Sequence, residues 1–137
     1  MVHALEKIYT LLKPDGYLID IHPTPEPAAI VVRLGDRLTP AGWIDEVTDY
    51  VEYEWADDAL KQVTEVALFS LERRGAFEFV WHADSVTDLL AYLLEDWQDA
   101  RIDPVTAMRI DEMLKTPEHD KEIRVREAIR IARFSRK

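Results

Sequence analysis

The feature that most constrains this chain is a change of hydrophobic period at Lys13-Pro14-Asp15-Gly16. Before it, Leu5, Ile8, Tyr9 and Leu12 fall at i, i+3, i+4 and i+7, the stripe of an amphipathic helix. A lysine in the last turn, followed by a proline and a glycine, predicts the stop. After it, Tyr17-Leu18-Ile19-Asp20-Ile21 is short and mostly apolar, as a buried strand is. A chain that opens this way mixes helix with strand. Its 137 residues suit one domain, 1–137, long enough to bury a core.

Further along, His22-Pro23-Thr24-Pro25-Glu26-Pro27 is a stiff loop, because three prolines forbid regular structure. Ala29 to Leu34 predicts a strand with a turn at Gly35-Asp36, and Trp43 to Val47 is its expected hairpin partner. Thr48 to Trp55 alternates acidic with large residues and leaves its conformation open. Asp57 is expected as the N-cap of a helix with Leu60, Val63 and Ala67 on one face. From Leu68 to Trp81 two readings stand: a helix ended by Gly75, or a hairpin around Arg73-Arg74-Gly75, favoured because alternation runs on both sides of the glycine. Ser85 to Asp88 predicts a capping box before the stripe Val86, Leu89, Leu90, Leu93, Leu94 and Trp97. Asp103-Pro104 opens another helix to about Lys115, and the last strand spans about Ile123 to Phe134. The expected class is α+β, an incomplete α/β: a mixed, largely antiparallel sheet with flanking helices.

A net charge of -10 argues against nucleic acid as a general partner, since phosphate backbones need clustered cations. The charge is uneven. Residues 121–137 hold seven Lys/Arg against Glu122 and Glu127, and their alternation with Ile123, Val125, Ile129 and Ile131 predicts a basic strand beside acidic neighbours. No apolar run approaches the ~20 residues that span a bilayer, and MVHALEKIYT has no secretory h-region. The absence of cysteine removes disulfides, thiolate zinc and a thiol nucleophile, and suits the cytoplasm.

Candidate chemistry is sparse. Gly16, Gly35, Gly42 and Gly75 stand too far apart for a phosphate-binding loop, and Ser70, Ser85 and Ser135 sit in no nucleophile elbow. No catalytic residue is assigned. The mirrored pairs Asp20/His22 and His82/Asp84 each end a predicted strand, and i, i+2 residues share a strand face. Brought together, they make a donor set for zinc, manganese or non-haem iron. The competing reading of Asp84 is part of the cap before Ser85. A second candidate is a substrate-side pocket of His22, Trp43, Tyr50, Tyr53 and Trp55, which competes with burial in a core or subunit interface.

The segment ALEKIYTLLKPDGYLIDIHP resembles the part of class I, Rossmann-like S-adenosylmethionine-dependent methyltransferases that follows their fourth strand. There a helix ends in a Leu-x-Pro-Gly-Gly turn and feeds a buried fifth strand. Leu12, Pro14 and Gly16 match, with Asp15 in place of the first glycine. The later order of elements is similar to the family's C-terminal half, whose final strand runs antiparallel beside the fifth. That family holds its methyl donor with a glycine-rich turn and acidic residues N-terminal to this segment, so no position here inherits those roles. The resemblance implies a half-domain, truncated, split from a partner chain or reused, with no cofactor of its own. It implies S-adenosylmethionine only where another chain completes the fold. It also implies an open strand edge and hence a homodimer or a complex with the missing half.

Overall fold

The computed structural model describes residues 1–47 and 49–137. The chain is mixed α+β, with four helices and a mostly antiparallel sheet. In order, the elements are α1 (Val2–Leu11), β1 (Tyr17–Pro23), β2 (Ala29–Leu34), β3 (Arg37–Trp43), β4 (Asp45–Glu46), α2 (Asp49–Glu65), β5 (Phe69–Ala83), α3 (Val86–Asp96), β6 (Ala100–Arg101), α4 (Pro104–Leu114) and β7 (Lys121–Arg136). Two compact units share them. Unit 1 takes Met1–Pro25, Asp49–Phe77 and Ala128–Lys137, and unit 2 takes Glu26–Thr48 and Glu78–Glu127. The long strands β5 and β7, which pair with each other, contribute residues to both.

Unit 1 begins as its sequence dictates. Leu5 is buried, and Ile8, Tyr9 and Leu12 pack around it. The stop is a tight turn in which the Gly16 N–H donates to Lys13 O at 2.9 Å and Asp15 adopts φ 66°, a left-handed value that favours glycine. β1 pairs antiparallel with β7, Tyr17 opposite Ser135 and Pro23 opposite Ile129. The buried cluster joins Leu5, Ala59, Leu60, Val63, Phe69, Ala132 and Phe134.

α2 starts at Asp49, so the segment left open from 49 to 55 is helical; Thr48 lies outside the described residues. The expectation that Asp57 caps this helix is corrected: Asp57 stands inside it. The helix ends in a Schellman motif, Leu68 N–H to Val63 O at 3.1 Å and Ala67 N–H to Thr64 O at 3.1 Å. Its left-handed residue is Ala67, at φ 59°, where glycine is usual. Both expectations for Leu68 to Trp81 are also corrected. Phe69–Ala83 is one unbroken strand, and Gly75 takes no positive φ, so it makes neither a helix stop nor a turn. Glycine permits a turn without requiring one, and pairing with β7 keeps this backbone extended.

In unit 2, Gly35 takes the expected turn at φ 59°. The hairpin partner of β2, however, is Arg37–Trp43 and not Trp43–Val47. The register shifts between Ile30 and Val31, a bulge that accommodates Pro40 opposite Val31. β2 also pairs antiparallel with β7, from Ala29 opposite Arg126 to Leu34 opposite Lys121. Ser85 caps α3, accepting from the Asp88 N–H at 3.1 Å, and Asp103 caps α4 by accepting from the Val105 and Thr106 N–H groups. Leu89 and Leu93 enter the core with Ile30, Val32, Ile44, Ile110, Ile123 and Val125, whereas Leu90 and Leu94 are exposed.

Candidate functional site

Alternation along β1 sends Leu18, Asp20 and His22 to one face and Tyr17, Ile19 and Ile21 to the other. On the first face a polar cluster forms. His22 Nδ1 lies 2.8 Å from Asp20 Oδ2, and His22 Nε2 lies 3.3 Å from Asp57 Oδ1. The second contact lacks hydrogen-bond geometry, and Nε2 is buried without a hydrogen-bond partner among the described residues. Asp57 Oδ2 accepts from Arg130 of β7. The cluster ties β1, α2 and β7 together.

Asp20, Asp57 and Arg130 border a hollow of about 790 Å³ floored by Leu60, Leu71, Ala132 and Phe134. Its wall is short of side chains at Gly75 and Ala76. The acids and bases around it are largely matched: Arg130 with Asp57, and Lys61 with Glu65 at 4.0 Å.

On the opposite face β1 itself contributes no charged side chain. Tyr17, Ile19 and Ile21 are 48%, 52% and 57% exposed. Arg133, which stands opposite Ile19 on β7, stacks its guanidinium on the Tyr17 ring at 3.7 Å and pairs with Glu72 at 3.1 Å, and Arg73 and Arg74 border the same hollow as Ile19.

Unit 2 carries a different array. Arg33 donates from Nε to Glu122 at 2.6 Å and from Nη1 and Nη2 to Asp120 at 2.7 and 2.5 Å. Arg124 donates to Glu122 at 2.7 Å, His82 Nδ1 lies 3.1 Å from Glu122, and Arg126 meets Glu78. The hydrogen bond from Arg33 is the main reason that the Glu122 carboxyl is pushed down to about 2. The same guanidinium lowers Asp120, and both acids raise Arg33. The basic terminal strand therefore sits among acidic neighbours, as its alternation predicts.

The four expected metal donors divide accordingly. Asp20 and His22 belong to unit 1, His82 and Asp84 to unit 2, and His82 is engaged with Glu122. Among the described residues, no group of three or more His, Asp or Glu side chains gathers as metal ligands. The expected aromatic pocket divides as well. Trp43 borders a hollow of about 430 Å³ with Pro27, Asp103, Thr106 and Arg109 in unit 2. Trp55 borders one of about 280 Å³ with Met1, Val2 and Gln62 in unit 1. Tyr50 and Tyr53 are half-buried along α2, and His22 belongs to the Asp20–Asp57 cluster.

Two residues of that cluster were missed from sequence, Asp57 and Arg130. A clue was present for Arg130. Period two puts it on the same face as Ala132 and Phe134, and a cation on a buried face needs an acid.

The four glycines stand apart in the fold as they do in the sequence. Gly16 lies between helix and strand, Gly35 in a hairpin, Gly42 against Thr106, and Gly75 within β5. None opens a strand-to-helix turn of the kind that brings backbone N–H groups to a phosphate or nucleotide. Compared with known proteins, the chain matches no family model and no curated protein. No helix among the described residues is long and apolar enough to cross a membrane.

Proposed function

We propose that this chain is a methyltransferase-related half-domain that works through association with protein and does not catalyse a reaction alone. One observation carries the reading: β1 presents Tyr17, Ile19 and Ile21 side by side, each about half exposed, on a strand with one ladder partner among the described residues. An open apolar strand edge is a template for another chain. The methyltransferase relation draws support from the helix–turn–strand order of α1 and β1 and from the antiparallel neighbour that β7 gives β1. S-adenosylmethionine enters only where another chain completes the fold and supplies a glycine-rich turn.

Light scattering on the purified chain at micromolar concentration tests association, with more than one chain per particle as the expected result. A soluble monomer there, unchanged by Ile21→Lys, overturns the reading. Titration with S-adenosylmethionine is expected to release no heat from the lone chain. Stoichiometric binding would restore a self-sufficient enzyme.

A further inference from the structure

We propose that β1 is the surface through which two copies of this chain associate, pairing antiparallel about a two-fold axis at Ile19. This rests on the association argued above and adds a strand, a register and a partner.

The open edges of the sheet differ in how they are guarded. β3 pairs with β2 and carries Arg37 and Pro40, the second without an N–H to offer. β5 carries Glu72, Arg73, Arg74 and Glu78 along its middle. Charge and proline on an edge discourage a further strand. β1 pairs with β7 alone among the described residues. From Tyr17 to Ile21 its single charge is Asp20, whose carboxylate is engaged by His22 at 2.8 Å.

Symmetry then favours a second copy. A two-fold contact uses the same patch twice and needs it to complement itself. Pairing about Ile19 sets Ile19 against Ile19 and Tyr17 against Ile21, so each exposed apolar side chain meets another. On the other face Leu18 meets Asp20, and no like charges oppose. Arg133, opposite Ile19 on β7, has its charge matched by Glu72 at 3.1 Å.

Charge points the same way. Unit 1 holds nine Lys/Arg against ten Asp/Glu, a net -1. Unit 2 holds eight against seventeen, a net -9, and the two make up the -10 of the whole chain. Two copies meeting at unit 1 avoid the repulsion that two unit 2 surfaces would suffer.

The chain has no cysteine, so single-cysteine variants report the register cleanly. Residues directly opposite across an antiparallel pair lie about 4.5–5.5 Å apart at Cα, within disulfide reach. Mild oxidation of Ile19→Cys is expected to give a covalent dimer. Ile21→Cys is expected to give none alone, because its two copies stand ~14 Å apart along the strands. Ile21→Cys mixed with Tyr17→Cys is expected to cross-link. Ile19→Lys enters the interface twice and is expected to weaken the dimer roughly 100-fold or more. Circular dichroism should be unchanged, since Ile19 is half exposed.

Particles of more than one chain in which Ile19→Cys links no better than Ile21→Cys overturn the β1 pairing and leave association standing. An unchanged mass for Ile19→Lys does the same. A wild-type monomer overturns both.

Discussion

Units 1 and 2 treat the uncovered side of their strands in opposite ways. In unit 2, Ile123 and Val125 go to the core, and the intervening positions of β7 present Glu122 and Arg124, tied with Arg33 and Asp120 into a charged network. In unit 1, Ala132 and Phe134 go to the core, while β1 presents Tyr17, Ile19 and Ile21 on its outer face. A face of matched charges is at home in water. A face of isoleucines loses about 25 cal/mol for each Å² left wet, and its edge N–H and C=O groups add a template for pairing. The contrast separates a face matched to water from one that leaves apolar side chains exposed, which is where the proposed pairing would act.

The largest expected effects come from the cores on which this contrast is built. Phe69→Ala empties the centre of unit 1 and Ile123→Ala that of unit 2, each fully buried. Denaturant titration should show losses of about 3–5 and about 2–5 kcal/mol respectively. A loss below ~1 kcal/mol at either would mean that its unit is not packed as described.

Gly42→Ala comes next. A Cβ there would stand 2.6 Å from Thr106 Cγ2, which forces β3 from α4. A loss of about 1–3 kcal/mol by thermal or denaturant melting is expected, in unit 2 only.

A pH titration probes the charged face. The Glu122 carboxyl is held at about 2, below its ordinary 4.5, because Arg33 and Arg124 hydrogen-bond its charged form. A depressed acid contributes stability above its unfolded pKa and loses it as pH falls through the folded value. The expected loss therefore runs from about pH 4.5 down to about pH 2. Glu122→Gln should be less stable at neutral pH and should flatten that part of the curve. A variant with the wild-type acid slope would remove the network from the account.

The smallest effects concern two backbone positions, both in unit 1. Asp15 and Ala67 adopt left-handed φ values of 66° and 59°. Asp15→Gly and Ala67→Gly should each raise stability by about 0.5–1 kcal/mol, since glycine carries no steric penalty there. Unchanged or lowered melting temperatures would show that unfolded-state entropy outweighs the relief.

Much of the fold was legible in the sequence wherever the decisive contacts are local. The α1 stripe, the stop after Lys13, the turn at Gly35 and the caps Ser85 and Asp103 depend on residues within about four positions. The α2 start at Asp49 was hidden, because alternating acids and aromatics suit a half-buried helix as well as a strand. Its stop was hidden too, because an alanine holds the place where a glycine would have advertised it. Of the candidate site, Asp20 and His22 were visible as an i, i+2 pair, but their partners Asp57 and Arg130 come from α2 and β7.

By itself, the sequence determined periodicity, capping, the acidic balance and the absence of a glycine-rich cradle. Those properties belong to single segments or to composition. Tertiary structure alone decided that Phe69–Ala83 is one strand, that Asp57 lies inside a helix facing His22, and that Tyr17, Ile19 and Ile21 stay uncovered. The reason is physical. Gly75 and the alternation of β1 are each compatible with several environments, and the choice among them falls to the hydrogen-bonding neighbour β7 and to whatever side chains arrive, or fail to arrive, on the other face.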